Sequence, residues 1–149
     1  MTNFLPESAS FAELIRQLEG LSVLVLGHRR PDGDCIGSQV ALTRILRAMG
    51  INAIAVNNDP VPRTLQRFVG DTPFTDPQGI EAGDYKIVTV DCADHARVGD
   101  ELRKRFPSVF LNVHHHVSNT KFAEHNFVLS DASATGEILA KFFFDSDLE

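Results

Sequence analysis

The 149-residue sequence holds only two cysteines, Cys35 and Cys92. They are too few for a disulfide framework, which agrees with a reducing compartment. No apolar run approaches the roughly eighteen residues of a membrane span, and the N-terminus has no basic, apolar leader. These absences predict a cytoplasmic protein with no membrane partner. Basic residues are not in surplus either: 14 Lys and Arg stand against 20 Asp and Glu, a formal charge of -6. That balance disfavours broad electrostatic binding to long nucleic acid, which Lys and Arg drive by neutralising phosphates. A small phosphorylated ligand held through metal is not excluded. No G-x-G-x-x-G follows the first strand-like run, which counts against a nicotinamide-binding Rossmann domain. Repeats, low-complexity tracts and linkers are also lacking, and the 43% hydrophobic fraction suits one domain with a real core.

What is present alternates between strand and helix patterns. Ser10-Phe11-Ala12-Glu13 has the form of a capping box, followed by Phe11, Leu14, Ile15 and Leu18 on one helical face and a stop at Gly20. Ser22 to Leu26, Ile51 to Val56, Lys86 to Val90 and Ser108 to Val113 read as strands. Ile36 to Met49, His95 to Phe106 and Ser133 to Phe144 read as helices, Arg63 to Val69 as a short helix, and Asp71 to Asp84 as loop with a small edge element. Phe122 to Val128 fits either type. The alternation predicts an α/β fold, a doubly wound and mostly parallel sheet with helices on both faces. Phe142, Phe143 and Phe144 end the last helix and are expected to be exposed until something covers them.

Three of the apolar runs stop at residues suited to metal or phosphate: His28-Arg29-Arg30-Pro31-Asp32-Gly33-Asp34, Asp91, and His114-His115-His116. A parallel sheet gathers ligands outside the carboxyl ends of its strands, so the three clusters are expected to form one site. Gly33 relieves the turn between Asp32 and Asp34, and their carboxylates with the His28 imidazole suit Mn²⁺, with Mg²⁺, Co²⁺ or Zn²⁺ as competitors. Gly37 and Ser38 are read as opening the next helix, where free amides receive an anion. Arg97 can hold a phosphate in its planar fork or pair on the surface with Asp94 or Glu101. Three consecutive histidines cannot all point one way at a strand end, so one or two enter the pocket. Ser118 and Asn119 add hydrogen-bonding groups nearby. Cys35 and Cys92 read as small buried side chains beneath the site.

With these residues in place the chain resembles the DHH family of phosphoesterases, which includes short-oligonucleotide exonucleases, adenosine 3',5'-bisphosphate phosphatases, cyclic dinucleotide phosphodiesterases, RecJ-type nucleases and family II pyrophosphatases. His28 to Ser38 resembles the first motif of that family, Asp91 to Arg97 the second, Asn112 to Asn119 the third, and Ala134-Thr135-Gly136-Glu137 the helix start that follows. The resemblance implies a metal-dependent phosphoesterase acting on a nucleotide or short oligonucleotide. Metal falls to His28, Asp32, Asp34, Asp91 and His115, with Asp91 bridging two divalent cations. Phosphate contacts fall to His116, Arg97, Ser118 and Asn119, and catalysis to Asp34, Asp91 and His116. In such a site two cations clamp the phosphoryl group and activate a water.

Two departures accompany the resemblance. His114 stands where the family's third motif begins with Asp, and loss of such an acceptor can lower metal affinity tenfold or more. The family's fourth motif, with another metal-binding Asp, and its C-terminal substrate domain do not follow. Residues 1–149 are therefore expected to be a single catalytic domain, truncated, with five ligands and no sixth; Asp131, Asp145 and Asp147 are weak substitutes. A catalytically weak nucleotide-binding or assembly module is the alternative expectation. Oligomeric state and an absent C-terminal domain stay open as partners.

Overall fold

The computed structural model describes residues 3–146. Six strands form one sheet: β1 (Ser22–Leu26), β2 (Asn52–Val56), β3 (Phe74–Thr75), β4 (Lys86–Val90), β5 (Leu111–His114) and β6 (His125–Val128). Their order is β3-β2-β1-β4-β5-β6 and every pairing is parallel. The helices are α1 (Ser8–Arg16), α2 (Gly33–Ala48), α3 (Gln66–Val69), α4 (Asp100–Arg105) and α5 (Thr135–Asp145). The α/β, doubly wound architecture is as expected, and parallel throughout.

Alternate residues of the central strands feed two cores. Val23, Val25, Val88, Val90, Leu111 and Val113 meet α1, α2 and α5 on one face. Leu24, Leu26, Val56 and Ile87 meet Val98 and Leu102 on the other. Strands buried on both sides must be apolar at nearly every position, as β1 and β4 are. Helix α1 enters the first core through Phe11, Leu14 and Ile15, and Leu18 joins them from the turn that follows. The strand order reverses between β1 and β4, and the loops leaving these two strands part there, opening a crevice at their carboxyl ends.

Several boundaries differ from those read in the sequence. The Ser10–Glu13 capping box does not form: α1 begins at Ser8, Glu7 gives no side-chain cap, and Glu13 pairs with Arg16 at 3.2 Å. A tertiary contact takes its place, since the Asp145 carboxylate accepts from the backbone amides of Phe4 and Leu5 and from the Ser8 hydroxyl. Asp145 is thereby spent on tying the N-terminal segment to α5; Asp147 lies outside the described residues. Helix α2 opens at Gly33, not near Gly37, because Asp32 caps it by accepting from the Cys35 amide at 2.9 Å. Gly37 and Ser38 fall inside the helix, so they do not form its anion-receiving end.

The helix read over His95 to Phe106 is broken at Gly99, where φ is +102°. A 3-10 turn over His95–Val98 precedes α4. Strand β5 begins only at Leu111 but runs through His114, so that histidine belongs to the sheet ladder opposite Val128. The last helix does not expose three phenylalanines: Phe142 and Phe143 are buried, and only Phe144 is open. Phe11 supplies the cover, its ring stacked on Phe142 with centroids 4.3 Å apart. Among the described residues, no helix is long and apolar enough to cross a membrane.

Candidate metal centre

The crevice at the β1–β4 switch point is a cleft of about 260 Å³ lined by His28, Asp32, Asp34, Asp91, Ala93, Arg97, His114, His115, His116 and Ser118. A larger cavity of about 490 Å³ lies between Leu21, Tyr85, Pro107 and Phe122. The carboxylates and imidazoles that converge do so in the smaller one.

Local chemistry explains how the first loop reaches the cleft. Gly27 ends β1 where α2 passes close, and any Cβ there would overlap Cys35 Sγ and Gln39 Oε1. Gln39 sits in that contact and donates from Nε2 to the carbonyls of Val25 (3.0 Å) and Val56 (3.2 Å). This close approach brings the helix start, and so Asp34, over the strand ends. Cys35 and Cys92 are both fully buried, as packing residues beneath the site would be. Asp91 leaves β4 with φ +60°, a left-handed conformation that Asp tolerates better than most residues. Its amide still extends the ladder by donating to Val113 at 2.9 Å.

Asp91 occupies the middle of the cluster. Its Oδ2 lies 3.1 Å from His28 Nε2, while its Oδ1 lies 3.8 Å from Nε2 of both His114 and His115. Asp34 Oδ2 is 3.7 Å from His115 Nε2. Asp34, Asp91 and His115 each offer a ligand atom, all within 4.8 Å of one another. Asp32 stands at the rim, 3.8 Å from His28 Nε2, with Oδ1 also capping α2. His28 donates from Nδ1 to the Arg29 carbonyl at 2.7 Å, which turns Nε2 into the cleft, where it meets Asp91 Oδ2.

The electrostatics favour positive charge here. Burial pushes the Asp91 carboxyl up, and the neighbouring Asp34 charge adds to that against the His28 hydrogen bond. His28 is pushed up to about 11, chiefly by its hydrogen bond to Asp91. Two adjacent carboxylates, one of them buried, are costly in ionised form unless a cation accompanies them. Oxygen and imidazole donors without a thiolate pair suit a borderline-to-hard divalent ion. The residues present therefore fit a divalent cation.

The phosphate-facing candidates divide. His116, Arg97 and Ser118 line the cleft; Arg97 is exposed, with Nε 4.0 Å from Asp94 Oδ2. Asn119 does not. It is buried, donating to the Cys92 carbonyl at 2.8 Å and accepting from the Lys121 amide at 2.6 Å, and it lies beneath His114. His114 is itself only 2% exposed, and burial followed by the facing rings of His116 and His115 pulls it down to about 4. At neutral pH it is an uncharged ring.

Periodicity assigns no site role to Thr135, yet the structure puts it against two candidate ligands. The amides of Thr135 and Gly136 donate to Asp34 at 3.0 and 2.9 Å, and the Thr135 hydroxyl donates to Asp91 Oδ1 at 3.0 Å. The N-terminus of α5 thus orients both carboxylates, and its dipole favours their charge. The four-residue match at Ala134 to Glu137 was the available signal. Thr135→Val keeps the shape and removes the hydroxyl; divalent-ion affinity measured by calorimetry is expected to fall about 10- to 100-fold, with little loss of thermal stability.

A model of the DHH family, N-terminal domain, matches residues 22–148. The chain belongs to that family. It is 31% identical over 128 residues to the bifunctional oligoribonuclease and PAP phosphatase NrnA of Thermus thermophilus, covering 86% of this chain and 38% of that protein. Its identity to the Bacillus subtilis protein of the same name is 28% over 138 residues, 89% and 42% of the two chains. The chain spans about two-fifths of the length of these curated relatives. An exopolyphosphatase-related protein from Bacteroides fragilis shares the fold with a TM-score of 0.79 at 18% identity, over 97% of this chain and 45% of that one.

Proposed function

We propose that this chain is a single catalytic domain of a metal-dependent phosphoesterase that hydrolyses phosphoester bonds of nucleotides or short oligonucleotides. The observation that carries the reading is the convergence of Asp34, Asp91 and His115 within 4.8 Å at the strand ends, in a cleft also lined by His116, Arg97 and Ser118.

His28 and Asp32 would hold one divalent cation and Asp34 and His115 a second, with the two oxygens of Asp91 turned toward the two sides. Mn²⁺ suits the donor set best, ahead of Mg²⁺, Co²⁺ and Zn²⁺. When bound, such ions supply Lewis-acid charge stabilisation and an activated water. The chain's own residues supply placement. Hydrogen bonds from Thr135 and Gly136 hold the carboxylates of Asp34 and Asp91 in fixed directions. The Arg97 fork and the His116 ring bring donors to phosphoryl oxygens, and Ser118 adds a hydroxyl.

The test pairs calorimetry with turnover of a nitrophenyl nucleotide diester and a short oligoribonucleotide. Mn²⁺ binding and Mn²⁺-dependent hydrolysis, abolished by chelation and restored by the metal, are expected. Failure of the folded chain to bind any divalent ion would overturn the reading.

A further inference from the structure

Asn119 is locked in one orientation by the backbone on either side of it. Its Oδ1 accepts from the Lys121 amide at 2.6 Å and its Nδ2 donates to the Cys92 carbonyl at 2.8 Å. A backbone amide can only donate and a carbonyl can only accept, so oxygen and nitrogen of this side chain cannot be exchanged. The same Nδ2 lies 3.1 Å from His114 Nδ1. With an amide nitrogen aimed at it, Nδ1 must be the acceptor, and the His114 proton resides on Nε2. That Nε2 lies 3.1 Å from Nδ1 of His116. Nδ1 of His116 in turn accepts, which leaves its own proton on Nε2.

We propose that His114 is a positioning residue, which relays the fixed orientation of Asn119 to His116 and holds the His116 proton on Nε2. The inference rests on the reading of His116 as a phosphate-facing residue of the cleft. Ionised phosphoryl oxygens accept hydrogen bonds and do not donate them, so a ring committed to an N–H on its free side is matched to them. Lys121 takes part through its backbone, held at φ +53°, an unusual conformation for a residue with a side chain.

The relay also gives the departure from the family motif a physical content. A carboxylate at position 114 can only accept. It would take a hydrogen bond from His116 Nδ1–H and reverse the polarity of the contact, placing the His116 proton on Nδ1. His114→Asp is therefore a polarity inversion. Gln at 114 can accept from Asn119 through its oxygen and donate to His116 through its nitrogen, which preserves the polarity.

The test is the tautomer of each ring, read from long-range proton–nitrogen NMR spectra of the full chain loaded with diamagnetic Mg²⁺. In the unmodified chain, His114 and His116 are expected as Nε2–H tautomers. His114→Asp is expected to move the His116 proton to Nδ1, and His114→Gln to leave it on Nε2. An Nδ1–H His116 in the unmodified chain would overturn the relay, as would an unchanged His116 spectrum in the Asp variant or a flipped one in the Gln variant. If His114→Asp does not fold, the unmodified chain and His114→Gln decide. Loss of the phosphoesterase reading would show instead as absent hydrolysis with the tautomers as described.

Discussion

Asp34→Asn is expected to remove Mn²⁺-dependent phosphodiester hydrolysis while the chain still folds. Asp34 faces His115 across 3.7 Å and accepts two amides of α5, so its charge is both placed and needed at the centre of the cluster. Asn keeps nearly the same shape but cannot offer two anionic oxygens. Loss of one well-placed electrostatic contact in an enclosed site commonly costs about 10²–10³ in rate, and removing a metal ligand should cost at least that. Folding should survive, because Asp34 lies in the cleft, outside both apolar cores, and its removal relieves the charge beside Asp91. The check is turnover of a nitrophenyl diester beside a circular dichroism melt; unchanged turnover in a folded variant would remove Asp34 from the machinery.

Phe11→Ala is expected to give the largest loss of stability. Phe11 is fully buried and joins α1 to α5 and β6 through a stack on Phe142, an edge contact to Phe127 at 5.8 Å and a tilted contact to Phe143 at 6.3 Å. Truncation removes the aromatic area and leaves a cavity among rigid neighbours, a change worth about 3–5 kcal/mol. For a chain of this length each kcal/mol moves the midpoint by about 2–4 °C. A fall of about 6–20 °C follows, measured by thermal unfolding. The site should feel it as well, since α5 carries Thr135 and Gly136 at its other end. A shift of under about 2 °C would mean that α1 is not an integral part of the core.

Much of this could be read along the chain. Apolar runs bounded by Gly and Asp gave β1, β2 and β4 to within a residue, and the 3.6-residue period found the buried face of α1. Those signals are local, because burial on both faces of a strand or one face of a helix leaves a periodic mark. Element ends were harder to read. The segment entering α1 is tied down by Asp145, more than 130 residues away, and no local pattern records that. Gly99 breaks a helix whose apolar spacing looks continuous, and the registered pairing of β5 with β4 and β6 begins only at Leu111. The fate of Phe142 and Phe143 was equally hidden, since their cover comes from the far end of the chain.

The candidate site divides along the same line. Residue type alone made His28, Asp32, Asp34, Asp91 and the three histidines candidates, and the strand-end rule predicted that they share one pocket. Side-chain types and strand ends are properties of the chain itself, so they can be read before it folds. Only the tertiary structure placed Asp91 between His28 and His115, set Asn119 beneath His114 instead of in the cleft, and brought Thr135 to Asp34 across 101 residues. Those relations depend on distances between elements, and distance is decided by how β1, β4, β5 and α5 pack.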